Sequence, residues 1–230
     1  MEDEELPAYQ SQWVRGEPAD PSDDWLVAYG GRLYDHWLEA LEQSPPKGTH
    51  PAYPRTAKQK GPDTWRCKEC HGWDYKGAEG RYAQGSHATG IKGIRAMDGG
   101  DPARVVQILR DDTHRFTEKM IPAKAAERLA LFVTRGQLDM DAIIEPASGR
   151  FKGDPARGKG PYQNLCAVCH GHDGKAQNFG NPREPEYLGT VAKDNPWELL
   201  HNARNGHPGT PMPASRWIDP AMLGDIGAYT

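Results

Sequence analysis

Trp65-Arg66-Cys67-Lys68-Glu69-Cys70-His71-Gly72 finds its counterpart 99 positions later in Leu165-Cys166-Ala167-Val168-Cys169-His170-Gly171. The two Cys-x-x-Cys-His-Gly frames use all four cysteines of a 230-residue chain, so no thiol is left for another role. Downstream of each frame the same parts follow in the same order, the signature of an internal repeat. A Gly-rich irregular stretch leads to a helix, then to a methionine near proline, then to a last helix. In the first copy the helix is expected over 101–110, opening Asp101-Pro102 and carrying Val105, Val106, Ile108 and Leu109, with a closing helix over 123–134 before Gly136. In the second copy a helix opens at Asn195-Pro196-Trp197 and runs to about 204 ahead of Gly206, and the closing helix covers 220–229.

Upstream of the first frame, Trp25, Tyr29, Leu33, Trp37 and Leu41 recur every four residues and predict a helix over 24–43. A Pro-rich insert, 44–62, separates it from the frame. The second frame has only a short preceding helix, from about 159, and the Gly- and charge-bearing run 145–158 reads as an interdomain linker. Three segments result: an acidic arm over 1–22, a first domain over 23–145 and a second over 146–230. At about 150 residues per domain the length accommodates two small domains.

Composition narrows the function classes. The formal charge is −4. Residues 1–24 hold eight acids against one arginine, while 146–230 hold nine bases against eight acids. Neither half carries the basic excess of a nucleic-acid binder. The hydrophobic fraction of 37% is low, and Gly and Pro are abundant at 26 and 20. A core of side chains alone would be thin, and a large planar apolar cofactor would fill it through the same area-dependent effect. No stretch reaches the roughly 20 apolar residues of a membrane span, and Met1-Glu2-Asp3-Glu4-Glu5 has none of the features of an export leader.

Two thiols three positions apart on one helical turn can each add to a vinyl group of a porphyrin, and the adjacent histidine then points at the iron. Zinc would want its two Cys pairs about 15–20 residues apart. A thioredoxin-like dithiol belongs in a βαβ setting and does not need histidine next to it twice. Structural disulfides would have to adopt this frame twice by accident. Two covalent haems, on Cys67 and Cys70 with His71 and on Cys166 and Cys169 with His170, account for every one of these residues. Met212, in Pro211-Met212-Pro213-Ala214, stands 42 residues after His170 and ahead of a helix, where a distal ligand is expected. Met120, in Lys119-Met120-Ile121-Pro122, stands 49 residues after His71 in the matching place. Its rivals are His87, Met97 and His114, each otherwise a polar loop residue or a haem-edge contact.

Both halves resemble class I cytochromes c, and the tandem arrangement is similar to the dihaem cytochrome c4 group. The resemblance rests on Cys166 to Gly174, Asn195-Pro196-Trp197, Arg204-Asn205-Gly206 and Pro211 to Ala214 in the second half, and on Trp65 to Gly72 and Lys119 to Ala123 in the first. It implies a mostly α fold of two tandem domains, each with a few helices wrapped around a covalent haem c. It also implies His/Met axial ligation and single-electron shuttling between redox partner proteins. Cytochromes of this kind are assembled outside the cytoplasm, so a periplasmic location is expected. The competing class is a dihaem enzyme. A thiolate-ligated sulfur-compound dehydrogenase needs a fifth cysteine, and a peroxidase needs one iron with an open position. A cytochrome subunit of an oxidoreductase complex fits the same residues.

Overall fold

A computed structural model describes residues 16–230, so the arm expected over 1–22 lies outside the described residues up to position 15. The described chain is mostly helical, and its extended pairings are the isolated bridges Gly77 to Lys92 and Ile144 to Phe151. Helix α1, Asp23–Ala40, starts at Ser22, whose hydroxyl accepts the Trp25 N–H at 3.3 Å, and two acids in its first turn favour that end. It ends three residues earlier than the sequence pattern predicts and kinks at His36, whose φ of −148° is not helical. Helix α2, Cys67–His71, is the first frame. Helix α3, Pro102–Leu109, is capped by Asp101, and α4, Ala123–Leu131, continues into a π-helical turn over Phe132–Gly136. A short α5, Met140–Ile143, follows.

In the second half, α6, Pro155–Pro161, is capped by Asp154 and passes through a π-helical turn, Tyr162–Cys166, into α7, Ala167–His170. Helix α8, Leu188–Asp194, has no counterpart in the sequence reading. Helices α9, Pro196–Asn205, and α10, Pro220–Tyr229, stand where the Asn-Pro and Asp-Pro openings place them. In both, proline at the first turn costs no hydrogen bond because that N–H has no intrahelical partner.

Two adjacent glycines decide how α1 sits. A Cβ on Gly30 would lie 2.1 Å from the Arg128 carbonyl oxygen on α4, and one on Gly31 would lie 2.4 Å from Asn205 Cγ on α9. Helix α1 is therefore gripped by a helix of each half. The buried cluster runs without a break from Leu33, Tyr34, Trp37, Leu129 and Phe132 to Leu200, Ile218, Leu223 and Ile226. The run 145–158 is not a loose tether. Glu145 N–H donates to the Arg150 carbonyl and Lys152 N–H to the Ile143 carbonyl, both at 2.8 Å, and from Pro155 the chain is helical. A Cβ on Gly227 would meet the Phe151 ring at 2.5 Å, so this turn is pinned to α10. The described end of the arm is also held: Glu17 pairs with Lys124 and, at 2.5 Å, with Arg128 of α4.

Candidate metal centres

Three residues of α1 hold the first frame. Tyr34 Oη donates to the Gly72 carbonyl at 2.6 Å, Asp35 receives Arg66 at its side chain (2.5 Å) and its carbonyl (2.9 Å), and Trp37 Nε1 donates to the Trp65 carbonyl at 3.0 Å. Gly72 ends α2 with φ +80°, a conformation that glycine adopts without strain. Burial pushes the Cys67 and Cys70 thiols up to about 12. His71 Nδ1 lies 2.8 Å from the Lys92 carbonyl. A carbonyl only accepts, so Nδ1 carries the proton and Nε2 is the nitrogen with a lone pair. Burial brings this imidazole down to about 4, which keeps it neutral at ordinary pH, the form that binds metal.

The second frame repeats part of that construction. Tyr162 Oη donates to the Gly171 carbonyl at 2.9 Å, and Gly171 has φ +79°. Ala176 N–H reaches the His170 carbonyl at 3.0 Å, as Gly77 N–H reaches His71 at 2.8 Å. Asp173 Oδ1 accepts the Lys175 N–H at 3.1 Å, as Asp74 Oδ1 accepts that of Lys76 at 3.1 Å. Even the left-handed residue is matched, Tyr75 at φ 65° against Gly174 at φ 70°. A tyrosine accepts strain at that position which glycine avoids.

Around the second frame the chain shows what a large apolar group would cover. Val168, between the two cysteines, is 82% exposed, while Leu165 and Phe179 are 47% and 45% exposed. The Phe179 ring lies 6.1 Å from that of His170. His170 Nδ1 is buried with no hydrogen-bond partner, and burial lowers the pKa of the ring. Clustered exposed apolar side chains beside an unsatisfied imidazole fit a covalently held haem. Among the described residues no three His, Cys, Asp or Glu side chains gather as a protein-only metal site requires.

The expected distal residues fall in different settings. Met120 is half-buried just ahead of α4, with its N–H on the Thr117 carbonyl at 3.0 Å and its side chain against the core. Met212 is half-buried in the loop between α9 and α10, with its N–H 3.3 Å from Thr210 Oγ1. His87 is engaged elsewhere, stacked on Tyr82 at 4.8 Å and 2.9 Å from Glu69 Oε2. Met97 ends the 3₁₀ turn Arg95–Met97. His114, expected in a solvated charged run, is instead brought beside His71, with ring centroids 6.2 Å apart and planes 23° from parallel. The one sequence signal for it is Asp111, three residues earlier, whose Oδ1 lies 3.1 Å from His114 Nδ1.

Residues 153–229 match the family model described as cytochrome C oxidase, cbb3-type, subunit III. No curated protein and no solved structure matches the chain. The matched stretch contains Cys166, Cys169, His170 and Met212, and it supports a c-type cytochrome domain there, with the covalent haem c and electron transfer that such a domain implies.

Proposed function

We propose that the chain is a dihaem cytochrome c, with domains over 23–145 and 146–230, that passes single electrons between redox partner proteins in the periplasm. The observation that carries the reading is the matched framework of the two frames: a tyrosine on the glycine carbonyl, a left-handed residue three positions later, and the same backbone bond onto each histidine carbonyl. The family match covers one frame, and the same local structure at the other extends the assignment to Cys67, Cys70 and His71. Haem supplies reversible one-electron exchange at its iron. Around it the cysteines tether, His71 and His170 present neutral imidazoles, and the tyrosine bonds hold each frame's exit in place so that little rearranges between oxidation states. Met120 and Met212 are the sulfur ligands expected from the repeat.

Work as a subunit of a larger oxidoreductase is the second reading. Trp217, 72% exposed, is a large apolar side chain of the second half left open to a partner.

Mass spectrometry of the intact, denatured chain, with acid-acetone extraction, tests the primary reading. A gain of two haems retained on the polypeptide is expected; one haem, or release into the organic phase, overturns it.

A further inference from the structure

We infer that His114, rather than Met120, is the distal ligand of the first centre, so that this iron is held by two histidines. The inference rests on the dihaem reading above and departs from the methionine expected from the repeat. Two imidazoles on opposite sides of one metal, each bonded at about 2 Å, have ring centroids roughly 6 Å apart. His71 and His114 stand at 6.2 Å.

Hydrogen bonding prepares both rings in the same way. His71 donates from Nδ1 to the Lys92 carbonyl at 2.8 Å, and His114 Nδ1 faces the Asp111 carboxylate at 3.1 Å. Each therefore holds its proton on Nδ1 and keeps the lone pair on Nε2, the tautomer that such outer partners set in a ligating histidine. Asp111 Oδ1 also accepts the backbone N–H groups of Thr113 at 3.0 Å and His114 at 2.8 Å, so the carboxylate is part of the loop's own framework.

The loop is over-determined in a way that a solvated turn does not need. Arg115, next to His114, sits at φ +57°, a costly conformation for a non-glycine residue, and its N–H is tied to the Asp111 carbonyl at 2.9 Å. Phe116 is buried edge-on against Trp37 and Trp65 at 5.7 and 6.0 Å. The Pro-rich insert supplies the brace. His50 accepts the Ala52 N–H on Nδ1 at 3.1 Å, which leaves Nε2–H to donate to the His114 carbonyl at 2.9 Å, and its own N–H is anchored on Thr64 Oγ1 at 2.9 Å. A segment that fits no cytochrome pattern thus has a role of its own, because it fixes the loop that carries the ligand.

Two histidines favour ferric iron relative to His/Met ligation. With Met212 on the second iron, the first centre is then the lower-potential one, and electrons entering there run down to the second.

The test uses the full holoprotein. Mass spectrometry first counts the haems; fewer than two overturns the dihaem reading itself, and this inference with it. With two haems present, the weak sulfur-to-iron band of the ferric protein is expected at the strength of one centre, and Met120→Ala should leave it unchanged. A band at double strength, or its halving in Met120→Ala, overturns the inference. His114→Ala is expected to let one ferrous haem of the two bind carbon monoxide, with both haems still attached; no gain of carbon monoxide binding overturns it. His114→Met, which restores a sixth ligand, should raise the lower of the two potentials and double the sulfur band, and an unshifted potential counts against the assignment.

Discussion

Tyr75 and His201, 126 positions apart in the chain, meet at 2.8 Å between Oη and Nδ1 inside the core shared by the two halves. His201 Nε2 lies 3.0 Å from the Gly31 carbonyl on α1, so Nε2 carries the proton and Nδ1 accepts from the tyrosine. One imidazole thus ties the residue just past the first frame to α9 and to α1. Tyr75→Phe removes the donor and leaves a buried nitrogen unsatisfied, at a cost of about 1–3 kcal/mol. Urea unfolding followed by far-UV circular dichroism measures it, and a midpoint equal to that of the wild type would show that the bond contributes nothing.

The same histidine predicts a pH dependence. Burial, partly opposed by Asp35, brings its pKa from 6.5 down to about 4. The native value lies below the unfolded one, so between them the unfolded chain binds the extra proton. The contribution is complete above pH 6.5 and is lost as pH falls toward 4. Burial lowers His50 and His36 in the same direction, so wild-type stability falls through this window and His201→Gln should flatten the fall without removing it. Unfolding midpoints taken across the window check this; identical slopes for both proteins refute it.

Two glycines of α6 should respond in opposite directions. A Cβ at Gly158 would stand 1.9 Å from the Asp225 carbonyl oxygen of α10, while one at Gly160 meets nothing within 4 Å. Gly158→Ala must push the two helices apart and is expected to cost about 1–3 kcal/mol. Gly160→Ala only reduces unfolded-state freedom and is expected to gain about 0.5–1 kcal/mol. Thermal unfolding of the two variants side by side decides, and a loss in both would show that α6 does not tolerate side chains for another reason.

Past residue 16, trypsin should cut first near Arg183 and not within 145–158. Residues 175–185 are exposed throughout and are held by few backbone bonds, among them Phe179 to Glu186 at 2.8 Å and Asn181 to Glu184 at 3.2 Å. The 145–158 run is bridged and anchored, contrary to its reading as a linker. N-terminal sequencing of the first new fragment gives the site; a start within 145–158 would restore the linker reading.

The residues that depend on short-range geometry were legible in the amino-acid order alone. Cys67, Cys70 and His71, and Cys166, Cys169 and His170, are spaced by the helical turn, and the frame's chemistry needs nothing further away. Asp101-Pro102 and Asp219-Pro220 mark helix starts because an aspartate side chain takes up a free N–H and proline needs none; both helices begin there. Helix α8 was invisible because Leu188–Asp194 is two turns long with little periodicity. Only the tertiary structure decided what depends on distant partners. Gly30 and Gly31 look like helix weaknesses until α4 and α9 press against them. The 145–158 turn is rigid because of α10, and His201 is neutral because burial in the core disfavours its charged form, against the opposing pull of Asp35 and the Gly31 carbonyl. His114 reads as a solvent-facing residue in a charged run, and it comes to His71 because His50, Thr64, Phe116 and Trp65, from three separate stretches of chain, pack into one scaffold. Local spacing sets out the two Cys-x-x-Cys-His frames; which side chain comes to stand beside His71 is decided by long-range packing, which no single stretch of sequence encodes.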